Sequence, residues 1–230
     1  MPAPDIIYPY KRAPNDFELR YSLRSLVNVP HSRVIIAGDS PFCVNDRVTV
    51  VKNPRVSGDR YMSSTSNIFA AMARADVSDE FVVMNDDIFV LKPWTFKHEH
   101  RATIAECLAD PAFAGEYRAR MVSTAAILRS VGITEPLFFG LHTPTVYNRH
   151  RLADMMREYP MPQRRYLTRT LYWNLFPAPS VRRTDVKVKT WPIESMADDV
   201  LSISDNVTGI SEFQTWINER FPVASRYETL

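Results

Sequence analysis

One stretch constrains this chain more than any other: Phe81-Val82-Val83-Met84-Asn85-Asp86-Asp87-Ile88-Phe89-Val90-Leu91, two apolar runs around an acidic step. Apolar runs bounded in this way read as short strands covered on both faces, as in the parallel sheets of α/β folds. Two ionised carboxylates side by side repel, and setting them between buried strands adds a desolvation cost. A divalent cation, Mn²⁺ or Mg²⁺, bridging Asp86 and Asp87 to a diphosphate offsets both penalties, because these ions take oxygen ligands and share them with phosphates. An acidic turn at a solvated sheet edge is the alternative reading of the same residues.

The remaining pattern supplies a sheet for that step to belong to. Ile6-Ile7-Tyr8, ended by Pro9, reads as a first strand, Val34 to Asp39 as a second and Val48 to Val51 as a third. Between the first two, Asn15 or Asp16 caps a helix from Phe17 to Leu26, with Leu19, Leu23 and Leu26 on one face and Arg20 and Arg24 on another. A second helix, from Ser63 or Ser64 to Ala75, carries Asn67 and precedes the acidic strand. Alternation of strand and helix predicts a βαβ-type sheet. Ligands of such sheets collect beyond the carboxyl ends of the strands, which makes Tyr10, Lys11 and Arg12 candidate nucleotide and phosphate contacts. A basic surface turn accounts for them equally.

Further along, Thr95 to Ser130 is mainly helical in pattern, and His98 and His100 within it carry only a weak metal signature. Phe138 to Pro144 reads as an apolar strand that contains His142, and Arg151 to Tyr159 as a short helix. Ser211 is placed to cap a last helix holding Phe213, Trp216 and Ile217. With no repeat and no low-complexity linker, one domain is expected, its residues 1–95 forming a ligand-binding half and 96–230 the other.

From Gln163 to Lys189 basic groups (Arg164, Arg165, Arg169, Arg182, Arg183, Lys187) alternate with Tyr166, Tyr172, Trp173 and Phe176. Basic groups pair with phosphates and aromatic rings stack on bases, so this segment is the candidate nucleic-acid face. An amphipathic helix and hairpin with a basic solvent face is the competing account. The chain's net charge, only +2, points neither to nucleic acid nor to a membrane. Cys43 and Cys107 are too few for a disulfide framework. No apolar run approaches the roughly 18–20 residues that cross a bilayer, and Met1 to Asp5 lacks the features of a signal peptide. A soluble, cytoplasmic protein is expected.

Asp16-Phe17-Glu18-Leu19-Arg20-Tyr21-Ser22-Leu23-Arg24-Ser25-Leu26, then Arg33 to Asp39, then Met84 to Phe89, resembles the second conserved region of the Stealth family of sugar-phosphate transferases. The chain is also similar to small glycosyltransferase-like proteins of bacteriophages, including its stretch from Phe221-Pro222 to Tyr227-Glu228. The resemblance covers about the first 95 residues well. It departs at Tyr8-Pro9-Tyr10-Lys11, where Stealth enzymes carry Trp and Asp-Gly. It implies a GT-A-like α/β fold, a mostly parallel central sheet flanked by helices, and transfer of a sugar from a nucleotide sugar such as a UDP-sugar. Asp86 and Asp87 then play the part of the Asp-x-Asp metal motif, with Asn85 orienting a carboxylate or the sugar. Tyr8, Tyr10, Lys11, Arg12, Arg20 and Asn67 fall to the nucleotide, Tyr10 by stacking on the base, and His142 to the metal or phosphate; salt-bridged helix residues are the equal alternative for Arg20 and Arg24. The acceptor's general base is to be sought among Asp198, Asp199 and Asp205, with Asp199 the residue chosen. A phage-like context offers a modified pyrimidine in DNA, a virion protein or a glycan as acceptor. The rival readings are a Stealth-like sugar-phosphate transferase and a non-catalytic DNA- or sugar-binding module.

Overall fold

The computed structural model describes residues 3–53, 59–74, 76–160, 165–192 and 199–229. In chain order these form β1 (Asp5–Tyr10), α1 (Phe17–Ser25), β2 (Val34–Gly38), β3 (Val48–Lys52), α2 (Arg60–Met72), β4 (Glu80–Val83) and β5 (Ile88–Val90). There follow β6 (His98–His100), β7 (Ala102–Thr103), α3 (Ile104–Ala109), α4 (Gly115–Ser130), β8 (Leu137–Phe138), β9 (Thr145–Asn148), α5 (Arg149–Glu158) and α6 (Thr168–Leu175). The last elements are β10 (Ser180–Arg182), β11 (Lys187–Val188), β12 (Val200–Ile203), α7 (Asp205–Thr208) and α8 (Ser211–Arg220). None of the described helices is long and apolar enough to cross a membrane.

The chain divides into two compact units, Met1–Phe96 with His142–Arg149 and Val186–Leu230, and Lys97–Leu141 with His150–Asp185. In the first, five strands make a sheet in the order β3-β2-β1-β4-β9. Neighbouring strands are parallel except at β9, which runs antiparallel to β4 with Thr145 opposite Val83. Every residue of β2 and all but one of β1 are buried, as their unbroken apolar runs require. The chain runs from β1 outward to β2 and β3 and then crosses to β4 on the other side of β1. That reversal makes the carboxyl ends of β1 and β4 a topological switch point, where open α/β sheets hold their ligands.

A second, three-stranded sheet, β11-β12-β5, completes the first unit. β12 lies antiparallel to β5, pairing Val200 with Val90 and Ser202 with Ile88. Alternate residues of this pair serve two cores. Ile88, Val90 and Val200 pack with Ile6, Leu23 and Val34, whereas Phe89, Leu201 and Ile203 pack with Phe213 and Ile217 of α8. Apart from Ser202 the two strands are therefore apolar, and the acidic step at the head of β5 is fixed from both sides.

Several local expectations change. Asp16 occupies the cap position of α1 at φ 49° but makes no capping bond. Its carboxylate accepts instead from the Tyr10 hydroxyl and from the backbone N–H groups of Phe42 and Cys43. Asn15 supplies the bond to the Phe17 N–H, at 3.2 Å. Ser211 is the first residue of α8, and the cap position is Ile210.

In the second unit the helical run expected from Thr95 is interrupted by β6 and β7, and helix starts only at Ile104 behind a Thr103–Glu106 capping box. His98 and His100 therefore lie on a strand, one ring against Trp173 and the other bonded to Ser180. The strand expected from Phe138 to Pro144 stops at Phe138, because the Leu141 N–H turns back onto the Phe139 carbonyl at 2.8 Å.

Candidate active site

Beyond the carboxyl ends of β1, β2 and β4 the first unit opens into a cleft of about 810 Å³, a usual size for a small-molecule site. The loop after β1 contributes Lys11 and Arg12, β2 and its turn Gly38 and Asp39, and β3 is followed by Asn53. The first turns of α2 contribute Arg60, Ser63, Ser64 and Asn67, and the acidic step Asn85, Asp86 and Asp87. Glu18 of α1 and Asp205 and Thr208 of α7 complete the lining.

The acidic step is held in an asymmetric way. Asp87 Oδ2 takes the Lys187 ammonium and, at 3.1 Å, the Ser202 hydroxyl. Its Oδ1 is buried and has no hydrogen-bond partner. The neighbouring Asp86 carboxyl is pushed up to about 8 by burial, and then by the charges of Asp87 and Glu18. Glu18 is raised as well, first by burial, despite the Thr208 hydroxyl that donates to it, and next by Asp87 and Asp205. Four carboxylates thus act on one another in one cleft, and Lys187 lowers both Asp86 and Glu18 without cancelling the effect.

On the basic side, Lys11 is exposed. The Arg12 guanidinium is drawn to the Ser40 carbonyl (2.9 and 2.6 Å) and lies over the Phe42 ring, while the Arg12 N–H donates to Asp39 at 2.9 Å. Asp59 caps α2 by accepting from the Tyr61 and Met62 N–H groups at 2.9 and 3.3 Å. Asn67 is 9% exposed. Its Oδ1 accepts from Asn53 Nδ2 at 2.9 Å, which turns its own amide N–H₂ toward other acceptors. Gly38, at φ +122°, lets this amide close over the end of β2, since a Cβ there would press into the Tyr10 carbonyl and the Asn67 side chain.

Among the residues singled out in the sequence, the cleft brings together Tyr10, Lys11, Arg12, Asn67, Asn85, Asp86, Asp87 and Asp205. Tyr10 enters as wall: it is 2% exposed and its hydroxyl is bound to Asp16, so its ring offers no free face for stacking. Tyr8 is a correction, fully buried in the core with its hydroxyl at Ser22, 3.0 Å away. Arg20 is another, directed to Glu228 at 3.0 Å and outside the lining. His142 precedes β9 at the sheet edge where Asn85 follows β4, but does not line the cleft. Asp199 stands at the far end of β12, its carbonyl accepting the Leu91 N–H, which sets it about 13 Å along the strand from the level of Asp87. Asp198 and Arg164 lie outside the described residues.

The basic segment also resolves differently from its sequence pattern. Arg183 makes a partly buried ion pair with the buried Glu99 at 2.8 Å, and Arg169 donates to the Leu141 carbonyl at 2.6 Å. Arg165 and Arg182 are exposed but paired with Glu116 and Glu106. Lys187 is paired with Asp87, a residue of the cleft, without lining the cleft itself. Glu18, Gly38, Asp39, Asn53, Arg60 and Thr208 of the lining, and Ser202 behind Asp87, are among the residues that sequence reasoning passed over. The Gly38-Asp39 turn at a strand end was their one local signal.

No family model matches the chain, and no curated protein matches it. The Stealth and bacteriophage resemblance therefore rests on the quoted residues alone. Solved structures do match. An active-site mutant of LgtC superimposes with a TM-score of 0.52 at 9% identity, over 96% of this chain and 98% of that one. A complex of the galactosyltransferase LgtC with donor and acceptor sugar analogs gives 0.50 at 11% identity, over the same shares. At such identity the likeness establishes the fold, a GT-A-like arrangement around a mostly parallel sheet.

Proposed function

We propose that the chain is a glycosyltransferase that moves a sugar from a nucleotide-sugar donor to a hydroxyl of a carbohydrate acceptor, with a divalent cation at Asp86 and Asp87. The observation that carries this is the buried, unpartnered Oδ1 of Asp87 beside a second carboxylate destabilised by burial and repulsion, in a cleft at the switch point of the sheet. A buried carboxylate oxygen without a partner and two neighbouring carboxylates that repel are both costly, and a cation is the ligand that offsets the cost at both residues. Among the described residues no group of three or more His, Cys, Asp or Glu is placed to hold a metal. Two carboxylates nonetheless fit Mg²⁺ or Mn²⁺, which commonly take one or two protein oxygens and complete their shell with phosphate and water. Such a cation, when bound, stabilises the charge that develops on the departing nucleoside diphosphate.

The chain's own groups supply the rest. Lys11, Arg12 and Arg60 bring positive charge to the diphosphate side of the cleft. Asn67, with its amide N–H₂ oriented by Asn53, donates to a donor carbonyl or phosphate oxygen. Glu18 accepts the proton of the acceptor hydroxyl: one of its oxygens is fixed by Thr208, and burial has raised it from the ordinary carboxylate range toward that of a working base. The neighbour crystallised with donor and acceptor sugar analogs favours a carbohydrate acceptor over DNA.

Calorimetric titration of a panel of nucleotide sugars, with and without Mn²⁺, tests the reading. Binding that needs Mn²⁺ and is lost in Asp87→Asn is expected, with nucleoside diphosphate as the product of turnover. Release of nucleoside monophosphate would make the chain a sugar-phosphate transferase instead, and failure of every donor to bind would refute the proposal.

A further inference from the structure

Lys187 lies one hundred residues beyond Asp87 in sequence, yet its ammonium meets Asp87 Oδ2 and the Ile203 carbonyl. The strands explain how. β11 runs parallel to β12, with Lys187 opposite Ser202, and β12 runs antiparallel to β5 with Ser202 opposite Ile88. The Ile203 N–H then donates to the Asp87 carbonyl at 3.1 Å. Lys187, Ser202 and Ile88 thus lie in register across three strands, and Asp87 is the residue just before Ile88, so the ammonium and the Ser202 hydroxyl reach its one carboxylate oxygen from neighbouring strands. Both are on the same oxygen. The other oxygen is buried and has no hydrogen-bond partner among the described residues.

An ammonium alone commonly meets one carboxylate oxygen; here the Ser202 hydroxyl joins it on that same oxygen, although the other is buried without a partner. Two donors converging on Oδ2 fix the rotation of the carboxylate and leave Oδ1 as its one unengaged coordination point. Outer partners of this kind orient the carboxylates that bind metals, and removing them commonly weakens metal affinity about 10- to 100-fold. From this geometry we infer that Lys187 is a positioning residue: with Ser202 it clamps Asp87 so that Oδ1 is presented to a divalent cation. The inference rests on the cation reading of Asp86 and Asp87.

Its test is the binding of Mn²⁺ alone, followed by the paramagnetic resonance signal of the free ion, on wild type, Lys187→Met, Lys187→Arg and Ser202→Ala. The expected result is at least tenfold weaker Mn²⁺ binding in Lys187→Met, several-fold weaker in Ser202→Ala and substantial recovery in Lys187→Arg. Ser202→Ala retains the ion pair and so reports on the clamp even where Lys187→Met folds poorly. Melting temperatures measured without metal separate the two roles, since a merely structural lysine lowers them while the folded protein keeps its Mn²⁺ affinity. Equal or tighter Mn²⁺ binding by folded Lys187→Met, with wild type binding the ion, would overturn the clamp and make Lys187 a competing counter-ion. Absence of Mn²⁺ binding in wild type itself would remove the cation reading, and the clamp with it.

Discussion

Asp199 and Asp205 stand at opposite ends of β12, and only Asp205 lines the cleft. A strand of four residues is enough to separate two carboxylates that look interchangeable in the sequence. Asp199→Asn is expected to leave donor turnover within about twofold of wild type. Asp205→Asn, which removes a charge facing Glu18, should lower turnover about tenfold, since charges fixed around a reacting centre are worth a kcal/mol or more each. A steady-state assay of the two variants decides the matter, and the reverse order of effects would contradict the geometry.

Gly38→Ala tests how closely the floor of the cleft is fitted. The new methyl meets a backbone carbonyl and the Asn67 amide, at a φ of +122° that a side chain rarely adopts. Neither neighbour yields cheaply, so the expected loss of stability is about 2 kcal/mol or more. Urea unfolding measures it, and an unchanged midpoint would show that β2 has room to shift.

Asn67→Asp keeps an acceptor for Asn53 while replacing the free donor with a negative charge. Packing should survive, and affinity for an anionic nucleotide should fall about a hundredfold, combining a lost hydrogen bond with new repulsion. Titration of wild type and variant with the same nucleotide sugar gives the ratio directly. An unchanged affinity would place the donor elsewhere.

Acid should unfold the first unit through Glu228 and Asp5. Burial alone would raise both carboxyls. The Arg24 bond, the Ser225 N–H and the Arg20 bond hold Glu228 below its ordinary 4.5, and Arg33 and the Ser78 N–H hold Asp5 below 3.8. Their unfolded forms take up protons first as the pH falls, so the stabilisation is complete above about pH 5 and is lost as the pH drops through the lowered folded values. Glu228→Gln should cost about 3 kcal/mol at neutral pH, by leaving Arg24 without its buried partner. Its urea midpoint should also depend less on acid than that of wild type. A parallel pH dependence in the two proteins would assign the acid sensitivity to other groups.

Arg183→Gln bears on the nucleic-acid reading of the basic segment. Glu99 is 4% exposed and would be left with a buried, uncompensated charge, so a stability loss of about 3–5 kcal/mol is expected. Wild-type chain in low salt should show no sequence-independent, salt-sensitive binding of duplex DNA by fluorescence anisotropy. Micromolar binding that weakens steeply with salt would instead support DNA as a partner.

The strands were legible because their apolar runs are unbroken: Ile6-Ile7, Val34 to Ala37 and Phe81 to Val83 all fall inside observed strands. Asp86 and Asp87 were legible for the same reason, as charges that interrupt such a run. What lay beyond local pattern was partnership. Nothing near Tyr8 signals that its hydroxyl meets Ser22, and nothing near Arg20 points to a glutamate more than two hundred residues away. Lys187 shows the limit most plainly. Its basic neighbours in sequence suggested a phosphate-facing surface, yet the pairing of β11, β12 and β5 gives it to Asp87.

That pairing also orders the protein in time. A ribosome completes the acidic loop long before it reaches Lys187 and Ser202, so the emerging chain holds Asp87 without either of its donors and β5 without its neighbouring strand. Both are supplied by residues from the last fifth of the sequence. An interrupted product would carry an unpaired strand edge and an uncompensated acidic step, features that invite clearance and deny it a working cleft. Only a chain translated through this segment gives Asp87 its two donors and β5 its partner strand.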